Sequence, residues 1–324
     1  MKKSFKLFLA AAVLVTEFFV VALPLMITSA KADGHPIQAI THAGFGGGTD
    51  VTTRMMLLRT RRYLKQDMQL VNKKGGGGAA SMDYMMTLPA DGNHTLTWTT
   101  GHAVSMALGK TKVKLSDMQP LARGTDDPQL FVVNCKNEIK DAKKFISAQK
   151  SKSLKYGTTH VGGIDDVSAI AFTKKGKLTD PTIVAYKGVG PIKTNLIKGD
   201  IDVGVLNLGE AVTEIEDGTL CVSVVLASNR MEKLSNVPTA TELGIPVVLS
   251  TVRGFVTKKG VPADRKKQLE DAMIKAMEHK YFQSFLTDIG LDSTSVVGAD
   301  EWGKQMETML AEMTAQLKAL GYIK

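Results

Sequence analysis

Only two cysteines, Cys135 and Cys221, occur in the 324 residues, and neither sits in a CxxC pair or at a zinc-finger spacing. A dithiol redox motif and a structural zinc site are thereby excluded. What remains is either one disulfide, formed in an oxidising compartment, or two buried thiols. Catalytic signatures are equally scarce. His42, His94, His102, His160 and His279 are scattered without an HExxH spacing, no GxSxG elbow exists, and the acidic residues form no recognisable metal loop. The sequence therefore predicts no metal and no cofactor. After residue 32 there is no second apolar span, no repeat of fixed period, no low-complexity linker and no basic amphipathic helix. These absences leave a soluble mature chain without a polytopic membrane part, whose domains are joined by more than one crossing.

At the N-terminus, Lys2, Lys3 and Lys6 precede an apolar run from Leu7 to Ile27, and Ala30-Lys31-Ala32 follows. This order reads as a signal peptide cleaved after Ala32. The alternative is a retained anchor, which Glu17 interrupts; either way the chain from Asp33 onward lies outside the cytoplasm, with a periplasmic location expected. Cleavage removes four lysines and one glutamate, so the formal charge of +9 falls by three to +6. A basic surface suits nucleic acid, anionic lipid or small anions. Export argues against nucleic acid, and small anions remain. Arg59, Arg61, Arg62 and Lys65 read as a solvated helix face.

The mature part, about 290 residues, suits two domains rather than one core. Short β-type runs alternate with helical patterns throughout, the signature of βαβ units around a largely parallel sheet. Strands are expected at Ile37 to His42, Gln69 to Asn72, His94 to Thr99, Phe131 to Asn134, Lys155 to Gly157, Thr182 to Tyr186, Asp202 to Leu206 and Val222 to Ala227. Pro262 opens one late helix, as its first helical residue. Asp300 opens another, with Trp302, Met306, Met309, Met313, Leu317 and Leu320 on one stripe that reads as core.

Ala43-Gly44-Phe45-Gly46-Gly47-Gly48-Thr49-Asp50 directly follows the first strand and precedes a helical pattern. Such a junction exposes backbone N–H groups and the positive end of a helix dipole, so it attracts anions. It is also simply a tight turn with Thr49 or Asp50 as helix cap. The dinucleotide fingerprint fails because Thr49 stands where a third glycine is needed. Gly109-Lys110-Thr111 fails as a phosphate loop because Val104 replaces the upstream glycine. Two further clusters, Gly75 to Gly78 and Gly157 to Gly163, lie between strand and helix patterns in the same way. Ligands bind at such carboxyl ends in open α/β sheets.

The ordered series Gly47-Gly48-Thr49-Asp50, Val71-Asn72-Lys73, Pro89-Ala90-Asp91-Gly92, Tyr186-Lys187-Gly188-Val189-Gly190-Pro191, Gly199-Asp200-Ile201-Asp202, Asn236-Val237-Pro238-Thr239 and Glu242-Leu243-Gly244 resembles the substrate-binding proteins of tripartite tricarboxylate transporters, the TctC or Bug family. The resemblance runs from about residue 36 to the C-terminus and marks a divergent member. It implies an α/β type II periplasmic-binding-protein fold: lobe one at 33–126 plus 228–324, lobe two at 127–227, and a ligand cleft between them that closes. Cys135 and Cys221 then both fall in lobe two near its crossings, which favours the disulfide.

By the same resemblance the ligand is a small organic acid, a di- or tricarboxylate or an aromatic carboxylate, held by amides and hydroxyls without an arginine clamp. The binding residues it implies are Phe45, Gly47, Gly48, Thr49 and Asp50, with Ser81 and Thr100, in lobe one, and Thr158, Thr159, Gly162, Gly163 and Asp202 in lobe two. Phe45 walls the ligand body or packs within its own lobe. Thr158 stands where serine is usual, Gly163 replaces a serine, Asp166 replaces a common histidine, and the proline usual before the first loop is absent. The lost hydroxyl removes a donor, and Asp166 repels a second carboxylate. The partners implied are the permease subunits, with the receptor acting as a monomer and not as an enzyme. Two other readings stand beside it: an exported α/β hydrolase using His160 and Asp202, and a ligand sensor for a signalling receptor.

Overall fold

The computed structural model describes residues 35–159 and 161–323. The expected leader with its cleavage after Ala32, and His160, lie outside the described residues.

The chain builds two mixed sheets, each flanked by helices. β1 (Ile37–Thr41), β2 (Met68–Asn72) and β3 (His94–Thr99) alternate with α1 (Gly48–Leu64), α2 (Ala79–Thr87) and α3 (Thr100–Ala107). β4 (Met118–Pro128) then leads into β5 (Leu130–Asn134) of the second sheet. That sheet continues through α4 (Ala142–Ser151), β6 (Lys155–Thr158), α5 (Ile164–Lys175), β7 (Thr182–Ala185), α6 (Val189–Lys198), β8 (Val203–Leu206), α7 (Leu208–Glu216) and β9 (Leu220–Val225). The chain returns in β10 (Ser250–Lys258), followed by α8 (Ala263–Glu278), α9 (Lys280–Asp288), β11 (Val297–Gly298) and α10 (Ala299–Ala319).

The strand orders are β11-β4-β10-β3-β1-β2 and β7-β6-β8-β5-β9. Each sheet has three parallel strands, β2-β1-β3 and β7-β6-β8, extended by antiparallel neighbours. The expectation of largely parallel sheets is corrected accordingly. β10 runs antiparallel to both β3 and β4, and β5 antiparallel to both β8 and β9. β4 and β10 form the paired ribbon from which the chain crosses to the second sheet and back. Neither reads as a strand in the sequence, because β4 carries two prolines, a glycine and three charges, and β10 is interrupted by Arg253-Gly254. Pro262 is the N-cap of α8 rather than its first helical residue, and α10 starts one residue earlier than Asp300.

The α10 stripe is core. Trp302, Met306, Met309, Met313 and Leu317 are all buried, and the Trp302 ring meets Trp98 edge-on with centroids 5.7 Å apart. Gly254 lies flat beneath that indole. The second sheet has its own aromatic cluster of Phe131, Phe145, Tyr156 and Phe172, where burial raises the Tyr156 hydroxyl pKa. Full burial of each such side chain contributes roughly 1.5–3 kcal/mol. Cys135 and Cys221 form a disulfide with Cα atoms 5.0 Å apart. It ties the end of β5 to the edge strand β9 and settles the choice left open between a bridge and two thiols.

Candidate functional site

The first glycine loop joins β1 to α1. Gly46 takes φ +75°, and its N–H donates to Asp50 Oδ2 at 3.0 Å, while Arg54 Nε lies 2.9 Å from the same oxygen. Asp50 thus closes the loop over its own helix. Gly47 is the N-cap and makes no side-chain capping bond, so the amides of the first turn are left pointing out of the helix end.

Behind that turn lies a residue without a counterpart in the sequence reading. Arg253, from β10, is only 2% exposed. Its Nε donates to Thr49 Oγ1 at 3.2 Å, Nη1 to Asp127 Oδ2 at 3.0 Å, and Nη2 to Asn207 Oδ1 at 3.2 Å. One guanidinium therefore joins α1, the end of β4 and the N-cap of α7. Asn207 Nδ2 completes the link by donating to the carbonyls of Asp127 and Pro128. The sequence reading has no arginine at the site, and Arg253 is placed beside it: planar, always charged guanidinium is the side chain able to serve several acceptors from three elements at once. A methyl at Gly48 would come within 2.5 Å of Arg253 Nη2, so the absence of a side chain there permits the approach.

Carboxylates surround this cation. Burial raises Asp127 to about 7, against the pull of Arg253 and with a further push from Glu210. Glu210 is half-buried and closes a capping box on Asn207, accepting from its N–H at 3.1 Å. Desolvation raises its pKa as well, with Arg253 and the amides of Asn207 and Gly48 opposing. An N-x-x-E pattern after a β-run, here Asn207 to Glu210, is the sequence signal for that cap. A lone arginine inside the apolar run Thr251 to Val256 is the corresponding signal for Arg253.

The second-sheet loop between β6 and α5 is saturated by its own acids. Thr159 N–H and Oγ1 both donate to Asp165 Oδ2, at 2.9 and 2.6 Å, and Gly162 N–H donates to Asp166 Oδ2 at 2.6 Å. Gly163 is the N-cap of α5. Burial lifts Asp165 to about 6. Thr158, fully buried at the end of β6, has a hydroxyl without a hydrogen-bond partner.

Between α1, α6, α7 and α9 lies a cavity of about 490 Å³. Gly46, Gly47 and Gly48 line one side, Val189, Lys193 and Glu210 another, and Asp127 and Arg253 its floor. Of the residues expected at the site, Gly47 and Gly48 line this cavity and Thr49 touches Arg253. Asp50, Thr159, Gly162 and Gly163 belong to the loops just described. Phe45 packs against nothing large: it is 76% exposed, with Arg54 and Lys74 over its ring.

Three expected residues are placed elsewhere. Ser81 Oγ donates to Gly78 O, and Thr100 Oγ1 donates to Ser250 O while accepting from Val252 N, so both hydroxyls tie elements of the first sheet together. Asp202 precedes β8, at the amino end of that strand, where it accepts from Lys155 N at 2.8 Å. It fixes the β6–β8 register at the opposite end from Asn207. The Gly75 to Gly78 cluster is likewise a packing device, since a methyl on Gly78 would overlap the His102 ring. Ser81 and His102 stand 3.0 Å apart like a nucleophile and its base. Both are fully buried, and Thr99 N donates to His102 Nδ1, so Nε2 carries the proton and donates to Ser81. Burial holds His102 well below the usual histidine range. That arrangement cannot abstract the hydroxyl proton. Among the described residues, no three His, Cys, Asp or Glu side chains are grouped to hold a metal ion.

The family model of the tripartite tricarboxylate transporter family receptor matches residues 52–321. The chain belongs to that receptor family. A UPF0065 protein from the TAR-I ttuE-ttuC' intergenic region of Agrobacterium vitis is 25% identical over 248 residues, 75% of this chain and 71% of that one. The same fold is found in MatC from Rhodopseudomonas palustris with bound malate, at a TM-score of 0.78 and 22% identity over 87% of this chain and 99% of that one. It is found again in an R. palustris protein with adipate, at 0.80 and 20% identity over 90% and 99%. Within the receptor family's two-lobed type II fold, the cavity described above lies where loops at the carboxyl ends of β1, β7 and β8 converge.

Proposed function

We propose that this receptor-family chain is an exported solute-binding protein that encloses a small organic acid between two lobes and delivers it, as a monomer, to membrane permease subunits. The lobes are residues 33–126 with 228–324, and residues 127–227, and the apolar run before Ala32 is the export signal. The observation that carries the reading is the convergence on one cavity of the open α1 N-terminus, the buried Arg253 and the Asn207 cap from the second sheet. A helix N-terminus and a guanidinium both favour an anionic group. Lobe closure around a carboxylate suits this arrangement, because the Arg253 network bridges the strands through which the chain crosses. Malate and adipate in proteins of the same fold support an acid as ligand. The test is a thermal-shift panel of di- and tricarboxylates, keto acids, amino acids and aromatic acids on the mature chain. A ligand at about 100 times its Kd stabilises by roughly 2.7 kcal/mol. If no organic acid moves the melting temperature, the receptor reading fails.

A further inference from the structure

The charged wall of the cavity consists of Asp127, Lys193, Glu210, Glu214 and Arg253. Lys193 Nζ pairs with Glu214 at 2.7 Å and Arg253 Nη1 with Asp127 at 3.0 Å, which leaves Glu210 as the excess charge. Asp127 is 3% exposed, and its Oδ1 is buried without a donor. Its other oxygen holds the guanidinium, so the buried pair is short of one N–H.

Donors for a second ligand carboxylate are already committed. Arg253 uses Nε and Nη1, and one hydrogen of Nη2, on Thr49, Thr125, Asp127, the Thr251 carbonyl and Asn207. One N–H of a five-donor group then remains. At the cavity the amide of Gly46 donates to Asp50 and that of Asn207 to Glu210, and in the β6–α5 loop those of Thr159 and Gly162 donate to Asp165 and Asp166. Two chain carboxylates, Asp50 and Glu210, thus take amides at the cavity that a polyanion would need. A dicarboxylate entering here meets acceptors and like charge. A primary ammonium brings three donors and the opposite charge, and Asp127 and Glu210 are the acceptors present.

The geometry points to a ligand that carries one carboxylate and one protonated amine, with the amine held by Asp127 and Glu210. This rests on the receptor reading given above and narrows its ligand class from organic acids at large to amino acids in the broad chemical sense.

The test uses matched pairs in which one carboxylate is exchanged for an ammonium on a chain of similar length: succinate against 4-aminobutyrate, glutarate against 5-aminopentanoate, and adipate against 6-aminohexanoate. Calorimetric titration of the mature wild-type chain is expected to give at least tenfold tighter binding for an aminated member than for its dicarboxylate partner. Glu210→Gln is expected to weaken the aminated ligand at least tenfold and to narrow the preference within the pair. Asp202→Asn, at the far end of β8, should leave that preference in place. A dicarboxylate that binds more tightly than its aminated partner overturns the inference while the receptor reading stands. An unchanged preference in a folded Glu210→Gln protein also overturns it. If Glu210→Gln does not fold, the wild-type pairs alone decide. Failure of every acid in the wider panel, aminated or not, removes the receptor reading and this inference together.

Discussion

Replacing Arg253 with methionine keeps most of the side-chain volume and deletes the guanidinium that joins the two sheets. Asp127 then loses its ion pair at 3.0 Å, and Thr49 Oγ1 and Asn207 Oδ1 lose their donors. Breaking a buried pair by removing one partner costs about 3–5 kcal/mol, because the other charge remains desolvated. For a chain of this size, that corresponds to a fall in Tm of roughly 6–20 °C. The pH dependence makes the prediction specific. Asp127 is raised to about 7 by burial, so the folded state binds a proton more tightly than the unfolded one. Its contribution to stability is fully present below the ordinary aspartate range and is lost as pH rises toward about 7. Without Arg253 the carboxyl is raised further, and the loss continues past that point. Urea denaturation at pH 6 and pH 9 is therefore expected to show a larger deficit of Arg253→Met against wild type at pH 9. A deficit below about 1 kcal/mol, or one equal at both pH values, refutes the claim that Arg253 compensates a buried carboxylate.

Replacing both Cys135 and Cys221 with serine should cost about 2–5 kcal/mol in reversible denaturation, since the bridge closes a separation of 86 residues. Gly254→Ala would drive a methyl into the Trp302 indole, and a loss of about 1–3 kcal/mol in chemical denaturation is expected, with ligand affinity nearly unchanged. Gly48→Ala should show the reverse pattern: its methyl would displace Arg253 at the cavity wall, so affinity falls by more than stability, read by titration and melting on the same sample. Asp202→Ala should lower stability by roughly 1 kcal/mol through its lost bond to Lys155 N and leave ligand affinity intact, which a paired melt and titration would check.

The parallel strands of both sheets are legible because each is a short apolar run bounded by glycine, proline or aspartate. β4 and β10 are not, because their residues answer to one another rather than to a local pattern: Gly254 yields space to Trp302, and Arg253 answers to Asp127 across the ribbon. The same distinction governs the site. The glycine loops announce themselves through composition, so the placement of Gly47 and Gly48 at a strand–helix junction is legible, whereas the hydroxyl partners of Ser81 and Thr100 are tertiary and leave no local pattern.

Asp202 lies away from the cavity for a related reason. An aspartate beside an apolar run looks the same at either end of a parallel strand, and only the end near the loops faces ligand. Asn207 and Glu210, eight residues or fewer further on, occupy the useful end, where the cap of α7 reaches Arg253. The feature that most constrains ligand chemistry is collective and so is invisible to any single motif. Asp50, Asp165, Asp166 and Glu210 each read as an ordinary residue of a helix first turn, where a carboxylate is favourable. In the folded chain the same four side chains take amides that the loops before α1, α5 and α7 would otherwise offer. What remains at the cavity for an anionic group is the first turn of α1 and a guanidinium that is itself nearly saturated.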